Sequence, residues 1–262
     1  FSQPLPVQMK IIFLGTNGWY TSPTGNTPCI IIDSKTHYVV FDAGNGIYQL
    51  DQYIKEDKPI SLFVSHFHID HVSGLHTLAK FKFSQGIDIY IAKGRKKDFE
   101  MLVSPPFTIG YRPNPINVTD LRTEIRLHEL TEGTHNVEFD VDVIRLYHAY
   151  ENHGFRVHLE KKVIAYSGDT GIGTNSYKLA DCVDVLVHEC ASMLPAGKGP
   201  WGHVNSEEAA TLAKKAKSKQ LILTHFGADL YPTRESRREA KDKARRIFPN
   251  TIAAYDGAVI EV

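Results

Sequence analysis

Ser65-His66-Phe67-His68-Ile69-Asp70-His71 places three imidazoles and a carboxylate within six residues. The stretch follows the apolar run Ile60-Ser61-Leu62-Phe63-Val64, which is typical of a buried strand, and precedes a helix-like apolar pattern. The cluster is therefore predicted to lie on a turn between a strand and a helix. In an extended chain His66 and His68 point to the same side, whereas the carboxylate and the third imidazole turn away. This arrangement predicts two adjacent metal ions.

Chance is a poor explanation for the cluster. The pattern His-x-His-x-Asp-His would arise at random in about two chains per thousand of this composition. The structural alternative is a set of ordinary loop histidines, but no packing requirement explains why three of them follow a buried strand beside an aspartate. A metal site is the better interpretation.

Composition limits the classes of function. Among 262 residues, 30 are Lys or Arg and 30 are Asp or Glu, so the protein has no overall field that would attract a polyanion, and dedicated nucleic-acid binders are usually more basic. Cys29 and Cys182 lie in or beside apolar runs and, like Cys190, belong to no Cys-x-x-Cys pair. We expect buried, reduced thiols and a cytoplasmic protein. No apolar run approaches the ~20 residues that span a bilayer, so no membrane partner is expected.

The order of the predicted elements indicates one domain. Residues 1–8 lack the charged and apolar layout of a signal peptide and form an N-terminal extension, either native or added during cloning. From residue 9 to residue 262 strands come first and then alternate with helices, without a linker. A Pro-rich segment at residues 104–115 is predicted to be an ordered loop near the site, and the basic run at residues 93–97 a solvated surface turn.

Polar residues with catalytic potential follow the apolar runs of several predicted strands. They are His66, His148, Asp169, His188, Glu189 and His225. A rigid sheet that carries its site on the loops at one edge has this layout. Each zinc ion needs about four ligands, or three and an open position, and Asp169 suits a bridging role because Gly168 and Gly171 let the backbone turn sharply on both sides. Mn²⁺ or Fe²⁺ could occupy the same nitrogen and oxygen donors.

These residues resemble the metallo-β-lactamase superfamily in order and type. The segments concerned are His66 to His71, His148, Gly168-Asp169-Thr170 and Thr224-His225-Phe226. The resemblance implies an α/β fold, a four-layer αββα sandwich with a dinuclear zinc site on one edge. It implies His66, His68 and His148 as ligands of the first ion, Asp70, His71 and His225 as ligands of the second, and Asp169 as the bridge.

Within the superfamily the chain is most similar to the ribonuclease Z and arylsulfatase-like branch. The similarity includes Leu14-Gly15-Thr16, Val187-His188-Glu189 and Gly202-His203. It implies that Glu189 orients His203, which would stabilise or protonate the leaving group. The structural alternatives are a surface residue at a helix cap for His203 and a core residue for His188.

One feature of that branch is missing from this sequence. Ribonuclease Z proteins typically carry a long flexible arm that clamps tRNA, between the residues that match His148 and Asp169. Here that interval contains only strand residues and the turn Leu159-Glu160-Lys161-Lys162. A short interval and a balanced net charge disfavour tRNA as the partner and favour a smaller substrate.

The sequence and the resemblance together predict a dinuclear zinc-dependent hydrolase, most plausibly a phosphodiesterase that acts on a small molecule or a short oligonucleotide. A hydroxide that bridges the metal ions would attack, Asp70 would orient it, and His203 would act as general acid. The alternatives are a ribonuclease Z without the arm, an arylsulfatase or lactone or ester hydrolase, and a non-catalytic metal-binding module. A homodimer is expected. The candidate pocket walls are Trp19, Tyr20, Tyr150, His153, Trp201 and Tyr231.

Overall fold

The structure is a computed structural model that describes residues 8–108, 123–195 and 202–262. Within these ranges two sheets carry the helices on their outer faces. The first sheet has the spatial order β15 (Val259–Glu261), β1 (Lys10–Gly15), β3 (Cys29–Asp33), β4 (Tyr38–Phe41), β5 (Ile60–Phe63), β6 (Ile87–Ala92) and β7 (Ile125–Leu130). The second has the order β14 (Thr251–Ala253), β13 (Gln220–Gly227), β12 (Val185–Cys190), β11 (Lys162–Tyr166), β10 (Asn152–Leu159), β9 (Asp140–Leu146) and β8 (Gly133–Asn136), and β2 (Asn17–Gly18) pairs with β13.

The helices of the described residues are short. They are α1 (Leu50–Tyr53), α2 (Ile69–Val72), α3 (Lys96–Leu102), α4 (Thr174–Ala180), α5 (Ser206–Lys215) and α6 (Arg234–Arg245), with 3₁₀ segments at Asn45–Gln49 and Ser73–Lys80. In α5, the Asn205 side chain accepts hydrogen bonds from the amides of Glu207 and Glu208 and so caps the amino end of the helix. None of the helices in the described part of the chain has the length and apolar character that a membrane crossing requires.

Side chains that alternate between the two faces of each strand form the hydrophobic layers on both sides of the sheets. On β1, Ile11 and Phe13 point into the core between the sheets, whereas Ile12 and Leu14 point into a second core beneath the helices of the first sheet. A third core lies between the second sheet and helices α4, α5 and α6. Because successive side chains of a strand point to opposite faces, each buried sheet needs a core on both sides. The predicted α/β, four-layer αββα sandwich is confirmed.

The sheet topology brings one end of many strands to the same edge. Strands β4 to β7 are parallel neighbours in the first sheet, and β11 to β14 are parallel neighbours in the second. The carboxyl ends of parallel strands lie together, and ligands of α/β proteins bind there. The loops that carry the predicted site residues leave the sheets at this edge.

Two strands extend further than the sequence predicts. His188 and Glu189 were expected after a strand but lie inside β12, and His225 was expected at a strand end but lies inside β13. The extension of β13 has a tertiary cause, because Phe226 and Gly227 pair with Asn17 and Gly18 of β2. A two-residue strand carries no sequence pattern that could predict this pairing.

Cys182 is not buried, contrary to expectation. It lies in the turn after α4 with a φ of 52° and is exposed, whereas Cys29 and Cys190 are buried, and all three are free thiols. The apolar run beside Cys182 belongs to β12, which begins only at Val185. In the basic run, Arg95 pairs with Glu151 at 2.7 Å and with Asp98 at 3.2 Å, as expected for a surface turn.

Several predictions fall wholly or partly outside the described residues. These are the N-terminal extension up to residue 7, the Pro-rich loop beyond residue 108 and the pocket wall at Trp201. In contrast, the interval predicted to lack an arm is fully described. Strands β10 and β11 are joined there by Glu160 and Lys161 alone, both with positive φ.

Candidate metal centre

The histidine cluster lies on the loop between β5 and α2 and is held by a buried carboxylate of the neighbouring strand. Asp42, which follows β4, accepts hydrogen bonds from the Ser65 amide at 2.7 Å and the Ser65 hydroxyl at 2.9 Å. Its Oδ2 also lies 2.7 Å from His71 Nδ1 and accepts from the Tyr166 hydroxyl at 2.6 Å. Because Asp42 engages Nδ1 of His71, the lone pair of Nε2 is directed away from Asp42.

One group of donors converges around His71. Its Nε2 lies 3.0 Å from His225 Nε2, and both nitrogens lie 3.2 Å from Asp169 Oδ1. Asp70 Oδ2 lies 3.3 Å from His225 Nε2 and 3.7 Å from His71 Nε2. Donors about 2.0–2.2 Å from a tetrahedral zinc ion would be separated by about 3.3–3.6 Å. The four groups therefore have the spacing of a single coordination shell.

A second group surrounds the other oxygen of Asp169. Asp169 Oδ2 lies 3.7 Å from His66 Nε2, and His148 Nε2 lies 3.4 Å from His68 Nδ1. The donor atoms of these four residues all lie within 4.8 Å of one another. Since one carboxylate oxygen faces each group, Asp169 can contact cations on both sides.

The donor chemistry fits metal ions. His66 Nε2 is buried and has no hydrogen-bond partner within the described residues. Unsatisfied buried polar atoms are costly unless something else binds them. A cation at each group would satisfy these donors.

The pKa directions agree with this interpretation. Burial holds the pKa of His66, His68 and His148 below the ordinary value, so these imidazoles are neutral and can donate lone pairs. Burial opposes ionisation of Asp169, but the charges of His225 and His71 outweigh it and hold the pKa of that carboxyl well below its usual range. The group formed by His66, His68 and His148 thus offers neutral nitrogens beside the ionised carboxylate of Asp169.

Three site residues have unusual backbone conformations. Of the eight non-glycine residues with positive φ in the described part of the chain, Trp19 (74°), Asp42 (59°) and His225 (50°) belong to the site. Such conformations are costly for residues other than glycine and persist where surrounding contacts enforce them. The Trp19 amide donates to Asp70 Oδ2 at 2.8 Å. The unusual conformation of Trp19 therefore places its amide against the Asp70 carboxylate.

His203 and Glu189 form a pair at the side of the centre. His203 Nδ1 lies 2.8 Å from Glu189 Oε1, and Glu189 is fully buried and also accepts from the amides of Thr170 at 3.1 Å and Ala191 at 2.8 Å. Burial opposes the charge on His203, but the charge of Glu189 and its hydrogen bond raise the pKa of His203 to about 9. His188 is buried and bonds the Glu189 carbonyl through Nδ1, as expected of a core histidine.

A cavity of about 440 Å³ opens over these groups. Its lining includes His68, Asp70, His148, Asp169, His203 and His225, together with Trp19, Ser192, Asp229 and Leu230. Among the predicted walls Trp19 lines the cavity, and the Tyr150 ring stacks on His68 at 5.8 Å. Tyr20, His153 and Tyr231 do not line this cavity, contrary to the prediction. Tyr20 is exposed, and His153 and Tyr231 are buried, with the Tyr231 hydroxyl donating to the Ser192 carbonyl at 2.8 Å.

The sequence analysis missed Asp42 and Asp229. Asp42 follows an apolar strand in Asp42-Ala43-Gly44-Asn45-Gly46, and an aspartate that ends an apolar strand is the same signal that identified Asp169. Asp229 follows β13 by two residues on an exposed turn and carries no comparable signal.

Comparison with known proteins identifies the fold family. Residues 37–226 match the family model described as the β-lactamase superfamily domain. The chain belongs to the β-lactamase superfamily. The predicted enzyme class, a metal-dependent hydrolase, is confirmed.

Similarity to individual proteins indicates the branch of the superfamily to which the chain is related. The chain is 27% identical to ribonuclease Z of Bacillus velezensis over 311 aligned positions that cover 95% of this chain and 97% of the relative. It is 25% identical to human tRNase Z, short form, with a TM-score of 0.72 and coverage of 97% and 99%. The metallo-β-lactamase fold protein YhfI from Bacillus subtilis has 20% identity and a TM-score of 0.78, with coverage of 97% and 99%. The predicted resemblance to the ribonuclease Z branch is confirmed.

The length of the alignment with ribonuclease Z is relevant to the predicted absence of an arm. The alignment with the B. velezensis protein occupies 311 positions, more than the 262 residues of this chain. That ribonuclease Z therefore contains segments for which this superfamily member has no counterpart.

Proposed function

We propose that the protein is a dinuclear zinc phosphodiesterase that cleaves a small molecule or a short oligonucleotide. The observation that carries the proposal is the placement of the two oxygens of Asp169 between two groups of donors, with the His203–Glu189 pair on the wall of the same cavity. Phosphodiester cleavage needs a nucleophile on one side and help for the departing oxygen on the other.

The ligand assignment follows the two groups. His66, His68 and His148 would hold the first ion, Asp70, His71 and His225 the second, and Asp169 would bridge them. Divalent ions bound there would supply the Lewis acidity that makes water a nucleophile near neutral pH and that polarises the ester oxygens.

Hydrogen bonds from neighbouring residues hold the proposed metal ligands in place. Asp42 orients His71 through Nδ1, and the Trp19 amide bonds Asp70 Oδ2, so one carboxylate oxygen is fixed in place. Asp70 lines the cavity and is suited to orient the attacking water.

His203 is suited to the leaving group. Its Nδ1–H is occupied by Glu189, which leaves Nε2 as the nitrogen that can reach a substrate. With a pKa of about 9, Nε2 carries a proton at neutral pH and can transfer it to the departing oxygen. Glu189 would be a positioning residue that also sustains the imidazolium charge.

A panel of substrates tests the proposal. Zinc-reconstituted protein is assayed with bis-p-nitrophenyl phosphate, p-nitrophenyl sulfate, cyclic nucleotides, lactones and pre-tRNA, with Asp169→Ala as the control for contaminating activity. We expect cleavage of the phosphodiesters, lost in the control. Turnover of the sulfate or the lactones without any phosphodiester cleavage would contradict the proposal.

A second candidate is tRNA 3′ processing by a ribonuclease Z without the arm. It is favoured by the similarity to ribonuclease Z along nearly the whole chain. The two-residue connection between β10 and β11 opposes it because it leaves no room there for an arm. The balanced net charge provides no overall attraction for tRNA. Cleavage of pre-tRNA alone in the substrate panel would favour this candidate.

The expected homodimer, the cytoplasmic location and the extent of a single domain from residue 9 to residue 262 stay predictions. Light scattering of the purified protein would test the first of them, with a mass close to twice 29.4 kDa expected for a dimer.

A further inference from the structure

Trp19 presents a large aromatic surface to the cavity. Its side chain is 66% exposed, although a free indole on a protein surface is usually covered. It lines the same cavity as the donor groups, and its backbone is held at a φ of 74°. A bulky residue in a strained conformation at the mouth of a site suggests a binding role.

The loop that carries Trp19 is fixed by a buried cation. Arg237 of α6 is 4% exposed and donates to the Thr16 hydroxyl at 3.0 Å, to Asn17 Oδ1 and to the Thr24 hydroxyl at 3.1 Å. Asn17 in turn donates to the Ser22 hydroxyl at 2.9 Å. These bonds hold the loop on both sides of Trp19, so little backbone entropy is lost when the loop binds a ligand.

Asp229 is placed beside Trp19 by the pairing of β2 with β13. Gly18 pairs with Gly227, and the Ala228 amide donates to the Gly18 carbonyl at 3.2 Å. Strand β2 continues from Gly18 into Trp19, and strand β13 continues from Gly227 towards Asp229. The two side chains therefore follow adjacent paired positions. Both residues line the cavity, and Asp229 is exposed.

The carboxylate of Asp229 is available to a ligand. The described lining of the cavity contains the carboxylates of Asp70, Asp169 and Asp229 and neither lysine nor arginine. Asp70 and Asp169 belong to the donor groups, but Asp229 stands apart from both. Its exposed carboxylate can therefore accept a hydrogen bond from a ligand in the cavity.

We propose that Trp19 and Asp229 form a subsite for a flat aromatic ring that bears a hydrogen-bond donor and is carried by a phosphodiester. The ring stacks on the indole, and the donor of a nucleobase or an attached sugar bonds the carboxylate. This inference rests on the proposed phosphodiesterase function and specifies its substrate.

Selectivity is measured as a ratio of kcat/KM values. Zinc-loaded protein is assayed with thymidine 5′-p-nitrophenyl phosphate, phenyl p-nitrophenyl phosphate and methyl p-nitrophenyl phosphate, which share one leaving group. The wild type should prefer both ring-bearing diesters over the methyl ester. Trp19→Ala should lower that preference about tenfold, the scale of base stacking on an aromatic side chain, and Trp19→Phe should retain most of it.

Two further variants separate the parts of the subsite. Asp229→Asn should reduce the preference for the thymidine diester but leave the ratio of the phenyl to the methyl ester unchanged. Tyr48→Ala is the control, because Tyr48 is an exposed aromatic residue outside the cavity lining, and its ratios should equal those of the wild type. A Trp19→Ala protein with wild-type ratios would overturn the inference.

A binding measurement distinguishes this inference from the proposed function. Calorimetric titration of zinc-loaded protein with thymidine 5′-methylphosphonate, a singly charged compound with no p-nitrophenyl ester to cleave, should give about tenfold weaker binding for Trp19→Ala than for the wild type. Cleavage of the methyl diester without binding of this compound would overturn the subsite alone. Binding that depends on Trp19, without cleavage of any diester, would support the subsite and contradict the phosphodiesterase proposal.

Discussion

His71 Nδ1 lies 2.7 Å from Asp42 Oδ2, so a carboxylate outside the donor groups determines which nitrogen of His71 faces them. We expect Asp42→Asn to weaken zinc binding about 10- to 100-fold, the usual cost of losing an outer partner of a metal-ligating histidine. Competition with a zinc chelator measures the change. Tyr166→Phe removes only one of the hydrogen bonds to Asp42 and should have a smaller effect. Equal zinc affinity in Asp42→Asn and the wild type would show that His71 needs no such orientation.

Removal of the proposed bridge should affect both ions. Asp169 faces His66 with one oxygen and His71 and His225 with the other, so Asp169→Ala should lose metal and activity together. Metal analysis after dialysis measures the zinc content, and circular dichroism checks that the fold is retained. Two zinc ions per chain in the variant would exclude the bridging role.

His203 should contribute to turnover but not to metal binding. His203→Ala is expected to retain the zinc content and to slow cleavage about 10²-fold or more, as is usual for the loss of a general acid. The effect should be largest for an ester with a poor leaving group, because p-nitrophenolate departs without a proton. An unchanged rate on an alkyl diester would remove His203 from the mechanism.

The pH dependence should reveal the His203–Glu189 pair. Activity requires the protonated imidazole of His203, whose pKa is raised to about 9, so kcat/KM should fall as the pH rises through that value. Bound metal ions disfavour the imidazolium and would shift this fall in kcat/KM to a lower pH. Glu189→Gln removes the charge that raises this pKa, so the alkaline limb should move to lower pH by about one unit or more. An alkaline limb at the same pH in Glu189→Gln would assign it to another group.

The contact between Gly18 and His225 should not tolerate a methyl group. A Cβ at Gly18 would lie 2.5 Å from His225 Cε1, so Gly18→Ala must displace the imidazole or the loop. We expect weaker zinc binding and loss of activity with a thermal midpoint only a few degrees lower, on the order of 1 kcal/mol. Gly173→Ala is the control, since a Cβ there meets nothing within 4 Å, and it should behave as the wild type. Full zinc content and activity in Gly18→Ala would contradict the predicted displacement.

Local pattern accounts for the part of the site that the sequence could predict. The apolar runs that became β5, β9 and β11 are each followed by a polar residue of the centre, and the period-2 alternation of buried side chains predicts the layers on which they lie. His66, His148 and Asp169 were found in this way, and the family resemblance placed them in two groups.

Long-range contacts account for what the sequence could not predict. The role of Asp42 depends on His71 and Tyr166, which lie far away in the chain, and β2 exists only because β13 lies beside it. Positive φ values at Trp19 and His225 are enforced by these contacts and leave no trace in residue type, because neither position is a glycine. Such features become visible only when the two sheets are assembled.

The nitrogens of His71 and His225 meet although 154 residues separate them in the chain. During synthesis the loop with His66, His68 and His71 leaves the ribosome well before β13 is made, and N-terminal segments begin to fold first. The nascent chain therefore displays half of a ligand set for a period in which the other half does not yet exist. Correct metal loading must be a late event in biogenesis, completed only when β13 takes its place beside β12.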